Sequence, residues 1–241
     1  MPRFYIPSDL SLNLCFSLPE KVVRHVQVLR YQPGDVIELF DGSDRVYQAE
    51  IIVMGKKNVD VRLLSSNLVS LESPLKMTLI QSVSSSERMD LTVQKSVELG
   101  INAIQPVITE RSSQRFNYER ALKKQERWRE IAISACEQCG RTKIPEIRQI
   151  LNLAEYLTLT SAADLKLLMS LNQPKALNQL VQPQSVSLLI GPEGGLTKTE
   201  EQLAIEHGFQ AISLGPRVLR TETASLAAIS AMQILWGDFA R

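Results

Sequence analysis

Two glycine-bearing loops hold the densest chemistry in the chain. The first reads Ser187-Leu188-Leu189-Ile190-Gly191-Pro192-Glu193-Gly194-Gly195-Leu196-Thr197. Its apolar start predicts a buried strand, and its glycines let backbone approach a ligand closely. Thr197 and Glu200 have capping-box spacing, so a helix should start directly after the loop. Ligands of open α/β sheets bind beyond the carboxyl ends of strands, which is where this loop falls. A tight turn that merely needs glycine is the plainer alternative. The chain contains neither Gly-x-Gly-x-x-Gly nor a Gly-Lys-Ser/Thr step, so neither the dinucleotide fingerprint nor a P-loop applies.

The second loop reads Ser213-Leu214-Gly215-Pro216-Arg217-Val218-Leu219-Arg220-Thr221-Glu222-Thr223-Ala224. It places two guanidinium groups, a carboxylate and two hydroxyls beside a glycine. Thr221 or Thr223 can cap the helix that follows. A third strand end is Leu168-Met169-Ser170-Leu171-Asn172. Leu171, Leu189, Leu196, Leu214 and Leu219 would together suit an adenine ring held by backbone groups. Such a pocket needs neither metal nor histidine.

The elements that must position these loops are legible from periodicity. Residues 1–72 read as a small β-rich domain, with turns at Pro33-Gly34-Asp35 and Asp41-Gly42-Ser43-Asp44. Strands are predicted over 36–40, 46–53 and 58–64, a hairpin spacing that suggests a small barrel or antiparallel sheet. A helix precedes them, with Pro19 at its first position and Val22, Val26 and Leu29 at helical spacing. Ser70 to Pro74 reads as a linker. Residues 73–241 alternate strand and helix: strands over 77–83, 103–108, 165–171, 186–190 and 211–214, and helices over 89–99, 118–139, 198–207 and 223–236. That alternation argues an α/β domain with a parallel sheet.

Composition narrows the chemistry. The chain has 241 residues, 44% of them apolar, with 27 Lys plus Arg against 26 Asp plus Glu. A net charge of +1 is not by itself the signature of a nucleic-acid binder. Residues 111 to 148, however, hold ten basic and five acidic side chains, Arg115 among the basic ones. Arg120, Lys123, Lys124 and Arg127 fall on one side of the long helix. They form either a solvated face or a phosphate-contacting surface. Two histidines, His25 and His207, exclude a three-histidine metal site within the chain. Three cysteines make no disulfide framework and fit a reducing cytoplasm. Cys136 and Cys139 lie on a helical apolar stripe with Ala121, Gln125, Trp128, Ala132 and Ala135, which argues packing, and no metal is expected. His207, just before Gly208, reads as a helix-terminal residue. Neither a signal peptide nor a membrane span is expected.

At this point the residues resemble a known family. Leu189-Ile190-Gly191-Pro192-Glu193-Gly194-Gly195 and Leu214-Gly215-Pro216-Arg217-Val218-Leu219-Arg220-Thr221-Glu222-Thr223-Ala224 are similar to the paired loops of the SPOUT-class RNA methyltransferases. Within that class the chain most resembles the bacterial 16S rRNA (uracil-N3)-methyltransferases. Gln94-Lys95 with Glu98-Leu99-Gly100, Glu110-Arg111, Glu137-Gln138 with Arg141, Pro145 with Ile147, Arg3-Phe4, and His25-Val26 with Leu29-Arg30 extend the resemblance along the chain. One departure falls at Ser84-Ser85-Ser86-Glu87-Arg88. The family usually carries a glycine and a basic residue near there, and this chain has Ser85 and Ser86.

The resemblance implies a carboxy-terminal trefoil-knotted SPOUT methyltransferase domain and a small amino-terminal PUA-like β-barrel that binds RNA. It implies S-adenosyl-L-methionine as cofactor and a homodimer. It implies 16S rRNA, free or in the assembled 30S subunit, as partner, with N3-methyluridine as product. Under that reading the cofactor contacts are expected from Leu168, Ser170, Leu171, Gly191, Pro192, Gly194, Gly195, Leu214, Gly215, Leu219, Arg220, Thr223 and Ala224. Arg220 would stabilise charge developing on the uracil oxygens, and Glu222 would accept the N3 proton, with Glu193 as its rival. Charge nominates Arg3, Arg24, His25 and Arg30 in the small domain, and Arg120, Lys123 and Arg127 on the long helix, as RNA contacts. Two other classes remain open here. One is an RNA-binding module that has lost catalysis; the other is a nucleotide- or NAD-dependent enzyme of small molecules.

Overall fold

The computed structural model describes residues 2–114, 116–159 and 163–240, so Arg115 lies outside the described residues. The chain divides into two compact units, Met1–Glu72 with Cys136–Ile144, and Ser73–Ala135 with Pro145–Arg241.

The first unit is a five-stranded sheet with one helix. Its elements are β1 (Arg3–Tyr5), β2 (Cys15–Ser17), α1 (Glu20–Val28), β3 (Val36–Phe40), β4 (Arg45–Met54) and β5 (Val59–Leu68). The spatial order is β1-β3-β4-β5-β2. Only β1–β3 is parallel among these pairings; β3–β4, β4–β5 and β2–β5 are antiparallel. The strands predicted over 36–40, 46–53 and 58–64 form, while β1 and β2 were not anticipated. Each of those two has only three residues, too short for a hydrophobic period to show. Alternation places Val59, Val61 and Leu63 on one face, where they meet Ile37, Leu39, Ile51 and Phe4. The α1 helix adds Val22, Val23 and Val26 to that core. Pro19 is the residue before the helix rather than its first residue.

Segment 136–144 belongs to this unit through polar contacts. The Glu137 carboxylate accepts the Tyr5 amide proton at 3.1 Å, and the Thr142 hydroxyl donates to the Val69 carbonyl at 3.0 Å. Arg141 and Glu72 form a bidentate pair, at 2.8 and 2.6 Å. Burial raises the Glu137 carboxyl above the ordinary value of 4.5, partly offset by the Tyr5 amide and by Lys21 and His25. A folded-state value above the unfolded one favours the folded state at low pH, and that contribution is lost as pH rises through the folded value. The Glu137 contribution to stability should therefore fall as pH is raised from about 4.5. Glu137→Gln keeps an acceptor for Tyr5 and is expected to flatten that fall; an unchanged slope would sink the assignment.

The second unit holds a parallel sheet of eight strands: β6 (Lys76–Ser82), β7 (Ala103–Ile108), β8 (Glu146–Ile147), β9 (Leu151–Asn152), β10 (Leu165–Met169), β11 (Lys175–Ala176), β12 (Ser185–Ile190) and β13 (Gln210–Ser213). The spatial order is β11-β13-β10-β12-β6-β7-β8, with β9 also paired to β7. Every pairing in this sheet is parallel. The central strand β12 is buried from Val186 to Ile190, as a parallel strand covered on both faces must be. The helices are α2 (Ser86–Glu98), α3 (Tyr118–Cys139), α4 (Leu153–Thr158), α5 (Lys198–Glu206) and α6 (Thr221–Trp236). The last turn of α3 groups with the first unit. On α3 the expected stripe is buried at Trp128, Ala132 and Ala135, and Cys136 is buried beside it.

Burial drives the Cys136 thiol up to about 12, so it is almost wholly un-ionised at neutral pH. A thiol-specific reagent is expected to label exposed Cys15 first and to leave Cys136 unlabelled until the fold opens. Rapid modification of Cys136 in the native protein would contradict its packing. Among the described residues no group of His, Cys, Asp or Glu is placed to hold a metal ion. No helix is long and apolar enough to cross a membrane among the described residues.

Candidate functional site

The carboxyl ends of β10, β12 and β13 meet at one cavity of about 290 Å³. These three strands are neighbours in the order β13-β10-β12, so loops far apart in sequence converge there. Parallel strands present their carboxyl ends, and hence their outgoing loops, on one edge. The capping box forms as expected. Thr197 Oγ1 accepts from the Glu200 amide at 3.2 Å, and the Glu200 carboxylate accepts from the Thr197 amide at 2.9 Å. Gly195 and Gly215 sit at φ of +69° and +94°, where a side chain would be strained.

Of the residues expected at the cofactor, Ser170, Leu171, Gly191, Pro192, Gly195, Leu214, Gly215, Leu219 and Ala224 line this cavity. Leu168, Gly194, Arg220 and Thr223 do not. The Leu168 side chain is fully buried in a core cluster with Leu189, its register partner on β12, and with Ile80. Leu189 therefore does not join the adenine wall suggested by the sequence. The reason is the two-residue period of a strand, which turns Leu168 to the core and leaves Met169 to the cavity. Gly194 offers its carbonyl to Arg111 at 2.9 Å, and Thr223 is exposed on α6. Sequence reasoning missed Glu201, which lines the cavity and accepts the Ser170 hydroxyl at 3.1 Å. Its position one turn into α5 was the available signal.

Neither threonine caps α6 through its side chain. Arg220 is the N-cap, exposed and without a side-chain capping bond, and Thr221 is buried as the first helical residue. The Thr221 hydroxyl donates to the Gly191 carbonyl at 2.7 Å and accepts from Gln81 at 2.9 Å. Ser225 in turn donates to Gln81 at 2.6 Å. This buried chain joins α6, β6 and the first glycine loop, so the two loops are held in register by hydrogen bonds that few alternative partners could replace.

Beside the cavity three charged side chains converge. Arg88, in the first turn of α2, reaches Glu193 at 3.1 Å and Glu222 at 3.7 Å. Glu193 also accepts the Ser85 amide at 3.0 Å, so its carboxylate joins the loop to α2 instead of bonding the loop's own amides. Ser85 has φ of −55°, a conformation that needs no glycine, which explains how serines are accommodated in this segment. Glu222 is 9% exposed, and its Oε2 has no hydrogen-bond partner among the described residues. An enclosed carboxylate oxygen without a donor is costly unless something supplies one.

The cationic candidates sort differently. Arg3 is bound to Glu38 and to the Gly140 carbonyl, so its guanidinium is occupied within the first unit. Arg24 is exposed and paired with Glu20; His25 is exposed with its ring edge-on to Phe4 at 5.1 Å. Arg30 is exposed in the left-handed conformation after α1. In the second unit Arg120, Lys123 and Arg127 are all exposed, and Arg127 is held by Asp90. His207 ends α5 with its Nδ1 at 2.8 Å from the Leu203 carbonyl, the helix-terminal place expected of it.

Known proteins share this chain's two domains and its fold. The RNA methyltransferase domain family model matches residues 71–233, and the RNA methyltransferase PUA domain matches residues 18–64. The ribosomal RNA small subunit methyltransferase E of Buchnera aphidicola (strain APS) is 38% identical over 99% of this chain and 95% of its own. The Bacillus subtilis protein of the same name is 31% identical over 92% of this chain and 93% of its own. The crystal structure of the Neisseria gonorrhoeae ribosomal RNA small subunit methyltransferase E, bound to S-adenosyl methionine, superposes with a TM-score of 0.95. It is 50% identical, and 99% of each chain is covered. A putative methyltransferase from Legionella pneumophila, in complex with the same cofactor, gives a TM-score of 0.95 at 42% identity over 98% of each chain. With both domain models matched and relatives aligned along nearly their whole length, the chain belongs to the RNA methyltransferase family that includes the ribosomal RNA small subunit methyltransferases E.

Proposed function

We propose that this protein uses S-adenosyl-L-methionine to methylate N3 of a uridine in 16S rRNA, in the cytoplasm, on the free RNA or the 30S subunit. The observation that carries the reading is the cavity at three adjacent strand ends with Arg88, Glu193 and Glu222 beside it. The residues present fit the cofactor. Leu171, Leu196, Leu214 and Leu219 offer apolar walls for an adenine ring, and Ser170 and Glu201 offer polar groups for ribose hydroxyls. A side chain at Gly191 would come within 3.1 Å of the Leu196 amide, so this loop is built for close backbone approach. When bound, the cofactor supplies a methyl group on a sulfonium. The protein's part is alignment, which can contribute roughly 7–11 kcal/mol to such a transfer.

At the substrate, Arg220 stabilises the negative charge that develops on the uracil oxygens, and the N3 proton passes to the Glu222 carboxylate, directly or through one water. Arg88 is a positioning residue that holds Glu222 and Glu193 together. The reading also carries the knotted chain path and the homodimer that the resemblance implies.

The test is transfer of labelled methyl groups to 30S subunits that lack the modification, followed by mass-spectrometric mapping of the rRNA. A single N3-methyluridine is the expected product. Binding of the subunit without transfer would instead indicate a module that has lost catalysis. A thermal shift with S-adenosylmethionine and none with NAD is also expected. A ligand at a hundred times its Kd stabilises the native state by about 2.7 kcal/mol.

A further inference from the structure

The loop before α3 and the first turns of that helix line a second, more open cavity of about 620 Å³. Phe116, Arg120, Lys123, Lys124 and Arg127 line it together with Gln114, and no carboxylate does among the described residues. Arg127 is neutralised by Asp90, and Lys124 donates to the Ser86 hydroxyl at 2.7 Å. Arg120 and Lys123 are exposed with no ion pair among the described residues. Arg129 pairs with Glu126 further along the same helix, whereas Arg120 and Lys123 stand at the cavity. Here cations instead surround a concavity, an arrangement whose mutual repulsion an anion would relieve.

The aromatic ring says which anion. Phe116 is partly buried at the wall of a cationic cavity, and a ring in that setting offers a face for an unpaired base. Single-stranded RNA presents both demands at once, a phosphate per nucleotide and bases free to stack. A duplex presents the phosphates but keeps its bases in the helix, which leaves the ring unused.

Hydrogen bonds and an ion pair tie this cavity to the candidate catalytic group. Gln114 donates to the Ser84 carbonyl at 3.0 Å, and Lys124 reaches Ser86. The intervening Ser85 amide bonds Glu193, and Arg88 on the same turn reaches Glu222. We propose that this cavity is a nucleotide subsite for the single-stranded RNA that carries the target base. Phe116 stacks on an unpaired base, and Arg120 and Lys123 hold the adjoining phosphates. The inference rests on the RNA substrate proposed above.

A fluorescent oligouridylate, titrated into the full-length protein with S-adenosylmethionine at several salt concentrations, separates the two kinds of contact. The paired change Arg120→Gln and Lys123→Gln removes two phosphate contacts. It is expected to lower the slope of log affinity against log salt by about 1.4. Phe116→Ala is expected to weaken binding by about ten- to hundredfold at every salt concentration and to leave the slope unchanged. Phe116→Leu keeps an apolar side chain, guards against a disordered loop and should show the same loss; Phe116→Tyr should restore binding. The thermal shift with S-adenosylmethionine should be the same in all four variants.

Unchanged binding in the variants would overturn the subsite. So would a matched duplex that binds as tightly with the same dependence on Phe116. A native protein that binds the oligonucleotide through Phe116 yet methylates no 30S subunit would overturn the methylation reading and leave the subsite standing.

Discussion

Glu222→Gln is expected to lower single-turnover methyl transfer by about 10²- to 10⁴-fold, the usual contribution of a positioned proton acceptor. The carboxylate is held in the first turn of α6, faces Arg88 at 3.7 Å, and keeps one oxygen without a hydrogen-bond partner among the described residues. Glutamine preserves its size and removes its capacity to take a proton. The variant should therefore bind S-adenosylmethionine as the native protein does and fail only in methyl transfer. Near-native transfer would remove Glu222 as the base. A large loss in Glu193→Gln alone would move the role to Glu193, which shares Arg88 with it. Arg88→Gln separates chemistry from positioning. It should lower the rate less than Glu222→Gln does, because the acceptor survives and only its orientation is lost, and Arg88→Lys, which keeps the charge, should recover part of the loss.

Arg141→Ala is expected to destabilise the first unit by about 3–5 kcal/mol, because it leaves a buried carboxylate without its counter-charge. Arg141 and Glu72 are 4% and 8% exposed and meet through two hydrogen bonds. Urea unfolding should show a lower midpoint with an unchanged slope. Replacing both residues by leucine and methionine should recover much of the loss, since desolvation of a buried pair offsets most of its attraction. A surface role for Arg141, such as a phosphate contact, predicts almost no change in the midpoint. The experiment thus decides whether this arginine, counted among the basic residues of 111–148, belongs to the fold or to an RNA face.

That arginine shows where the sequence was legible and where it was not. The excess of positive charge in 111–148 is a true property of the chain, but folding distributes it unequally. Arg141 goes to Glu72, Lys143 to Asp44, Arg127 to Asp90 and Arg148 to Glu146. Arg120 and Lys123 are left beside the Phe116 cavity. Spacing along a helix identifies which charges share a face. It does not say which of them meets a carboxylate brought in from elsewhere in the chain.

Local signals carried further. The strand expected over 103–108 and the helix expected from about 118 to 139 form as Ala103–Ile108 and Tyr118–Cys139, and the capping box at Thr197 and Glu200 forms. Each depends on neighbours within a few positions, where backbone sterics and hydrogen bonding decide conformation. The Thr221 cap failed for the opposite reason: its hydroxyl is claimed by Gly191 and Gln81, 30 and 140 residues away. A strong distant partner outbids a weak local one.

By itself, then, the sequence determined most of the longer strands and helices, the glycine loops, the carboxylates and guanidinium groups available for chemistry, and the family resemblance they carry, while the grouping of 136–144 with the first unit was outside its reach. Only the tertiary structure decided that Leu168 and Leu189 face the core, that Glu201 faces the cavity, and that Arg88 joins Glu193 to Glu222. The physical reason is that these outcomes depend on strand register and on pairings across the sheet. Both are set by the burial of the whole domain and not by any one segment.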